Sequence, residues 1–207
     1  MILYLVRHGE TEWHSENRYA GSTDVSLTPK GVEQGIKLAE WAKGTDIELI
    51  ASSDLSRAII TATPSVIATK VAHKIDPRFR EVDFGLGEGL TSDEMEVKFP
   101  QARKAFIKAP ADSALPNGEK GVDAVNRVFD ALFELMSVDR AHKVLLVAHS
   151  TLGRLMLCGL TGIDLNNYRT NFPRIINGAV TTIEIEDVSQ PSALFGAGKL
   201  IELNKLL

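Results

Sequence analysis

Arg7 and His8 follow directly on the apolar run at residues 2–6, where a buried strand would end and display charge. The same juxtaposition recurs twice. The run IELIAS (47–52) leads into SSDLSRA, which carries Arg57, and KVLLVA (143–148) leads into His149 and Ser150. The segment PRFREVDFG adds Arg80, Glu81 and Asp83. If the three runs are neighbouring parallel strands, two histidines, two arginines and at least one carboxylate meet on one rim. Guanidinium forks match the oxygens of a tetrahedral anion, and backbone N–H groups at a helix start add further donors. An imidazole there could attack phosphorus while a carboxyl protonates the leaving alcohol. A zinc centre fits poorly: His8 and His14 lack i, i+4 spacing, and the arginines would repel the cation.

The elements that must position these residues follow from the pattern of apolar side chains. Unbroken apolar runs, rather than alternating ones, predict central strands of a mostly parallel sheet. Thr28 before Pro29 predicts a helix start, and the 3.6-like spacing of Val32, Ile36 and Ala39 continues the helix from it. Ser53 or Asp54 is expected to cap a helix carrying Leu55, Ala58 and Ile59, bent at Pro64. Further helices are expected over about 122–136 and 151–160. AVTTIEIE (179–186) alternates and predicts a sheet edge or an antiparallel member. The stretch 85–120 is rich in Gly, Pro, Lys and Glu and contains the capping pair Thr91 and Glu94. It reads as a partly helical insertion over the carboxyl ends of the strands, where open α/β sheets bind ligands. The expected fold is therefore α/β, in three layers α/β/α with a mostly parallel central sheet, as a single domain over 1–207.

Composition narrows the partners. A net charge of −4 over 207 residues argues against a nucleic-acid partner, which would call for a basic face. No apolar run reaches the ~20 residues needed to span a bilayer, and MILYLV lacks the features of a secretory signal. The single Cys158 points to a reducing, cytoplasmic setting. His73 and His142 read as solvated surface, and Trp13 and Trp41 as packing residues. Lys98, Arg103, Lys104 and Lys108 read as a solvated helix face.

Four blocks in order, LVRHGETEW, SSDLSRA, REVDFGLGEGLT and VLLVAHS, resemble the histidine phosphatase superfamily, also called the phosphoglycerate mutase-like family. The resemblance runs from residue 2 to about 186. It implies that His8 is the nucleophile that becomes a phosphohistidine and that Arg7 and Arg57 grip the phosphate. It also implies that His149 hydrogen-bonds the phosphoryl oxygens, that Glu81 protonates the leaving oxygen, and that Thr11 lies near the phosphate. His14, Gly21, Ser22, Thr23 and Ser150 complete the expected phosphate and substrate contacts. No cofactor and no metal are implied, and an edge-strand homodimer is a family-level expectation.

The chain departs from the family pattern at several points. Trp13-His14 replaces the usual Trp-Asn, Ser150 stands where relatives often have Gly, and an aromatic is missing from GLGEG (85–89). The short DFGLGEGL block is nearer the phosphatase branch and α-ribazole phosphatase-like members than the mutases. The expected activity is hydrolysis of a small phosphomonoester such as a sugar or polyol phosphate or a phosphoglycerate derivative. The alternatives are a phosphoglycerate mutase and, more remotely, a non-catalytic phosphate-binding module. An esterase built on Ser150 is rejected: Leu152 would clash in a nucleophile elbow, and no histidine follows His149.

Overall fold

Strands apolar on both faces take the centre of a sheet, because each face then meets a layer of helices. In the computed structural model, which describes residues 1–207, the elements begin β1 (Ile2–Arg7), α1 (Pro29–Lys43), β2 (Leu49–Ser52), α2 (Ser56–Thr69) and β3 (Ala72–Ile75). There follow α3 (Ser92–Lys98), α4 (Pro100–Lys108), α5 (Gly121–Ser137), β4 (Lys143–Ala148) and α6 (Ser150–Leu160). The chain closes with α7 (Tyr168–Asn171), β5 (Val180–Ile185) and β6 (Gly198–Lys205). The six strands form one sheet in the order β3-β2-β4-β1-β5-β6. The first four are mutually parallel, whereas β5 runs antiparallel to both β1 and β6.

Alternate side chains of the central strands feed two cores. Leu3, Leu5, Val144 and Leu146 pack with α5 and α6 on one face, and Val6, Ile50, Leu145 and Val147 with α1 and α2 on the other. This is the expected three-layer α/β arrangement. Parallel alignment brings the carboxyl ends of β1, β2 and β4 to a common level: Arg7 lies opposite Ala148, and Ser52 opposite Val147.

Two strands were not expected. β3 and β6 are edge strands whose residues are largely exposed, so neither carries the unbroken apolar signature of a buried strand. β5 is antiparallel as expected, but β6 covers its outer side. The start of α2 also differs. Leu55 holds the cap position without a side-chain bond, Ser53 bonds to His149, and Asp54 pairs with Arg80. The amide of Ser56 donates instead to the Asp24 carboxylate at 3.0 Å. The helix continues through Pro64. Thr28 caps α1 through the Gly31 amide at 3.1 Å, and the Thr91–Glu94 capping box forms at α3. Arg103 is not part of a solvated face: it is buried, donates to Ser92 Oγ at 2.7 Å and sits 5.9 Å from the Phe106 ring centroid.

The turn after β1 is pressed against the first turn of α1. A Cβ on Gly9 would overlap the Gly31 carbonyl, and one on Gly31 would overlap the Glu10 carbonyl. Gly9→Ala is therefore expected to cost about 1–3 kcal/mol in urea unfolding and to lower turnover by displacing His8. Unchanged stability and activity would contradict this close approach.

Candidate active site

His8 leaves β1 with its amide bonded to the Ala148 carbonyl at 2.9 Å, and Asn177 Nδ2 donates to its carbonyl at 2.8 Å. Its ring is oriented by the next residue: Nδ1 donates to the Gly9 carbonyl at 2.7 Å. A carbonyl can only accept, so the neutral ring carries its proton on Nδ1 and keeps the Nε2 lone pair free. The Gly9 amide in turn donates to Thr61 Oγ1 at 3.0 Å, which secures the turn to α2.

His149 stands at the end of β4 as the residue before α6, and its ring centroid lies 5.1 Å from that of His8. Ser53, just past β2, meets His149 Nε2 at 2.7 Å. The buried Nδ1 of His149 has no partner in the protein.

Arg7 and Arg57 surround this pair. Arg7 donates to the Ile175 carbonyl at 3.0 Å and contacts His14 Nε2. Arg57, in the first turn of α2, donates to the carbonyls of Thr23 and Gly21, each at 2.7 Å. The Nε of each arginine is buried without a partner. Arg57 is 0% exposed, His149 1% and His8 6%. Burial, followed by the positive charge of Arg57, holds both His8 and His149 well below the usual imidazole range, and Arg7 adds to the effect. Burial lowers Arg7 itself to about 10, which leaves it cationic at neutral pH. His14 is pushed to about 4 by burial and by Arg7. It is held by Thr11, whose hydroxyl lies 2.7 Å from its Nδ1.

Glu81 reaches the same place from the chain after β3. Its carboxylate accepts from the amides of Thr151 at 2.8 Å and Leu152 at 2.7 Å, the open N–H groups of α6. Asp83, the other carboxylate considered, accepts from the Gly85 amide at 2.7 Å and has no place in the cavity wall.

A cavity of about 510 Å³ opens here. Of the residues expected from the sequence, Arg7, His8, Thr11, His14, Glu81 and Ser150 line it. Arg57 and His149 are buried behind them. Gly21, Ser22 and Thr23, expected among the phosphate contacts, are outside its wall. The carbonyls of Gly21 and Thr23 are taken by Arg57, and the amides of Ser22 and Thr23 donate to Glu88, each at 2.7 Å. The insertion contributes Ser92, in α3, to the wall. Sequence reasoning missed Ser53 and Asn177, whose roles depend on contacts between distant segments. It also missed Arg154 and Arg169 in the wall. Arg154 was within reach, because it is four residues after Ser150 and so on the same helix face.

Comparison with known proteins gives a consistent picture. The family model for the histidine phosphatase superfamily (branch 1) matches residues 3–195. A relative from Proteus mirabilis named as a probable phosphoglycerate mutase, GpmB, is 34% identical over 186 residues, covering 89% of this chain and 85% of its own. The α-ribazole phosphatase from Shigella flexneri superposes with a TM-score of 0.85 at 25% identity, covering 99% of this chain and 96% of the other. A mycobacterial glucosyl-3-phosphoglycerate phosphatase in complex with VO3 superposes with a TM-score of 0.86 at 27% identity, covering 99% of each chain.

The buried neutral imidazoles carry a stability consequence. Below about pH 6.5 the unfolded chain protonates His8 and His149 while the folded protein does not, so stability falls as pH falls. Each ring is expected to withdraw up to ~1.4 kcal/mol per pH unit below about pH 6. Urea midpoints measured between pH 7.5 and 5 should show this slope, and it should become shallower in His149→Gln, with the remainder carried by His8 and His14. A flat wild-type profile would contradict neutral, desolvated rings.

Proposed function

Because the chain belongs to the histidine phosphatase superfamily, branch 1, we propose that it is a metal-independent, cytoplasmic phosphomonoester hydrolase acting on a small phosphorylated metabolite through a phosphohistidine on His8. One observation carries this reading. The His8 ring is fixed with Nε2 unprotonated, and the residues around it hold two N–H donors without protein partners, Arg7 Nε and Arg57 Nε, beside the unpartnered Nδ1 of His149. Donors of that kind are complemented by an anion, and an unprotonated imidazole among them is a nucleophile.

In the proposed reaction, Glu81 enters as the carboxylic acid; His8 Nε2 attacks phosphorus as the bond to the alcohol oxygen breaks, and Glu81 gives its proton to that oxygen and becomes the carboxylate. Arg7, Arg57 and His149 neutralise the charge on the equatorial oxygens. Water then attacks the phosphohistidine and Glu81 takes the water's proton. The N–P bond breaks, inorganic phosphate leaves, and Nε2 recovers its lone pair.

The likeness to the Proteus mirabilis relative favours a second reading, phosphoryl transfer between positions of phosphoglycerate. A mutase must keep water from its phosphohistidine. The insertion adds only Ser92 to the cavity wall, which supports hydrolysis instead. Phosphate release measured against primer-dependent interconversion of 3- and 2-phosphoglycerate separates the two, and interconversion exceeding release would overturn the hydrolase reading.

His8→Ala is expected to abolish phosphate release while leaving the fold intact. Glu81→Gln should lower kcat by about 10²–10⁴. EDTA should leave the rate unchanged. Retained activity in His8→Ala would refute covalent catalysis at that residue.

A further inference from the structure

Away from His8, the cavity wall holds positive charge that the protein does not neutralise. Four guanidiniums elsewhere in the chain are paired: Arg18, Arg78, Arg80 and Arg127 each lie within 2.7 Å of a carboxylate. Arg154 and Arg169 have no such partner. Arg154, on α6, reaches only the Ser150 and Pro173 carbonyls and Thr151 Oγ1, at 3.3–3.4 Å. Arg169, in α7, donates only to the Tyr168 hydroxyl at 3.0 Å. Both guanidiniums lie over the same Tyr168 ring, 4.8 Å and 5.4 Å from its centroid. Arg169 is also 4.8 Å from the Phe106 ring, to which the buried Arg103 lies close as well.

Two half-buried cations sharing one aromatic ring repel each other, and most of their N–H donors are unspent. The only carboxylate in the wall is Glu81, and its oxygens are held by the α6 amides. Arg154 is also close enough to Arg7 for its charge to oppose that of Arg7. It lies one turn along α6 from Ser150, about 6 Å of helix rise, a separation that a short carbon backbone bridges.

Resting on the hydrolase reading above, we propose that Arg154 and Arg169 form a second anion subsite. The substrates are then phosphomonoesters that carry another anionic group, a carboxylate or a second phosphoryl group, a few atoms from the scissile phosphate. The planar fork of arginine suits both groups. Sugar and polyol monophosphates without a second charge would leave the two guanidiniums unmatched, which narrows the substrate class.

Binding without turnover tests this directly. In the His8→Ala protein, calorimetry with 3-phosphoglycerate and glycerol 3-phosphate compares a carboxylate with an alcohol on similar three-carbon skeletons. The acid is expected to bind about tenfold or more tightly. The gap should shrink to under about threefold when Arg154→Gln and Arg169→Gln are added together, and should survive Arg140→Gln, which removes an exposed cation outside the cavity wall. A parallel pair, fructose 1,6-bisphosphate and fructose 6-phosphate, distinguishes the sources: a preference confined to the first pair identifies a carboxylate, and one confined to the second identifies a phosphoryl group. Equal or undetectable binding within both pairs, or a gap that persists in the double variant, would overturn the proposal. Phosphate release by the wild-type protein is measured on the same four esters. Failure to hydrolyse any of them would count against the hydrolase reading, whereas the binding gap tests the subsite alone.

Discussion

The structure depends on keeping two guanidinium ions and two imidazoles together in a place from which water is largely removed. Arg57 and His149 have essentially no exposed surface, and His8 has little. Four cationic side chains could not share such a rim, and the conflict is resolved by leaving both rings uncharged: desolvation and Arg57 act on each in the same direction. That resolution sets the chemistry. A ring left neutral by its neighbours keeps a lone pair free beside guanidinium N–H groups, and the proposed phosphoryl transfer uses that arrangement at His8. The protein supplies these groups with carbonyl partners on Ile175, Gly21 and Thr23 but leaves both arginine Nε donors unmatched.

The scaffold delivers this arrangement through parallel strand register and two close approaches. Adjacent β1, β4 and β2 end at one level, so His8, His149 and Ser53 arrive together from segments far apart in the chain. The turn after β1 is then pinned between α1, at Gly31, and α2, at Thr61. Glu81 is held to the open end of α6, the helix that His149 precedes, which ties the carboxylate and the second imidazole to one element. Further along that helix the wall turns cationic, with Arg154 and Arg169 over Tyr168. The cavity therefore offers an anion cradle at one end and unpaired positive charge at the other.

Much of this was legible in the sequence because buried strands and their polar exits are local signals. The runs before Arg7–His8 and His149, the Thr28-Pro29 helix start and the Thr91–Glu94 capping box each depend on a few neighbouring residues, and each stands where expected. What was not legible depends on contacts between remote segments. Ser53 reads as a helix cap until β2 is set beside β4. Ser22 and Thr23 stand among the phosphate contacts that the resemblance implies, until Glu88 is found on their amides. Arg103 reads as solvated until it is seen against Tyr19 and Phe106. The edge strands β3 and β6 escaped for a related reason: exposed on at least one side, they carry no continuous apolar pattern.

The central claim is that the unprotonated Nε2 of His8 forms a bond to phosphorus. Rapid-quench trapping with a ³²P-labelled phosphomonoester, followed by peptide mapping, tests it most directly. The account predicts a phosphoprotein that forms within one turnover, is labile in acid and stable in alkali, and maps to the peptide containing His8. Label that never appears during turnover, or that appears on a serine or on any other histidine, would contradict it.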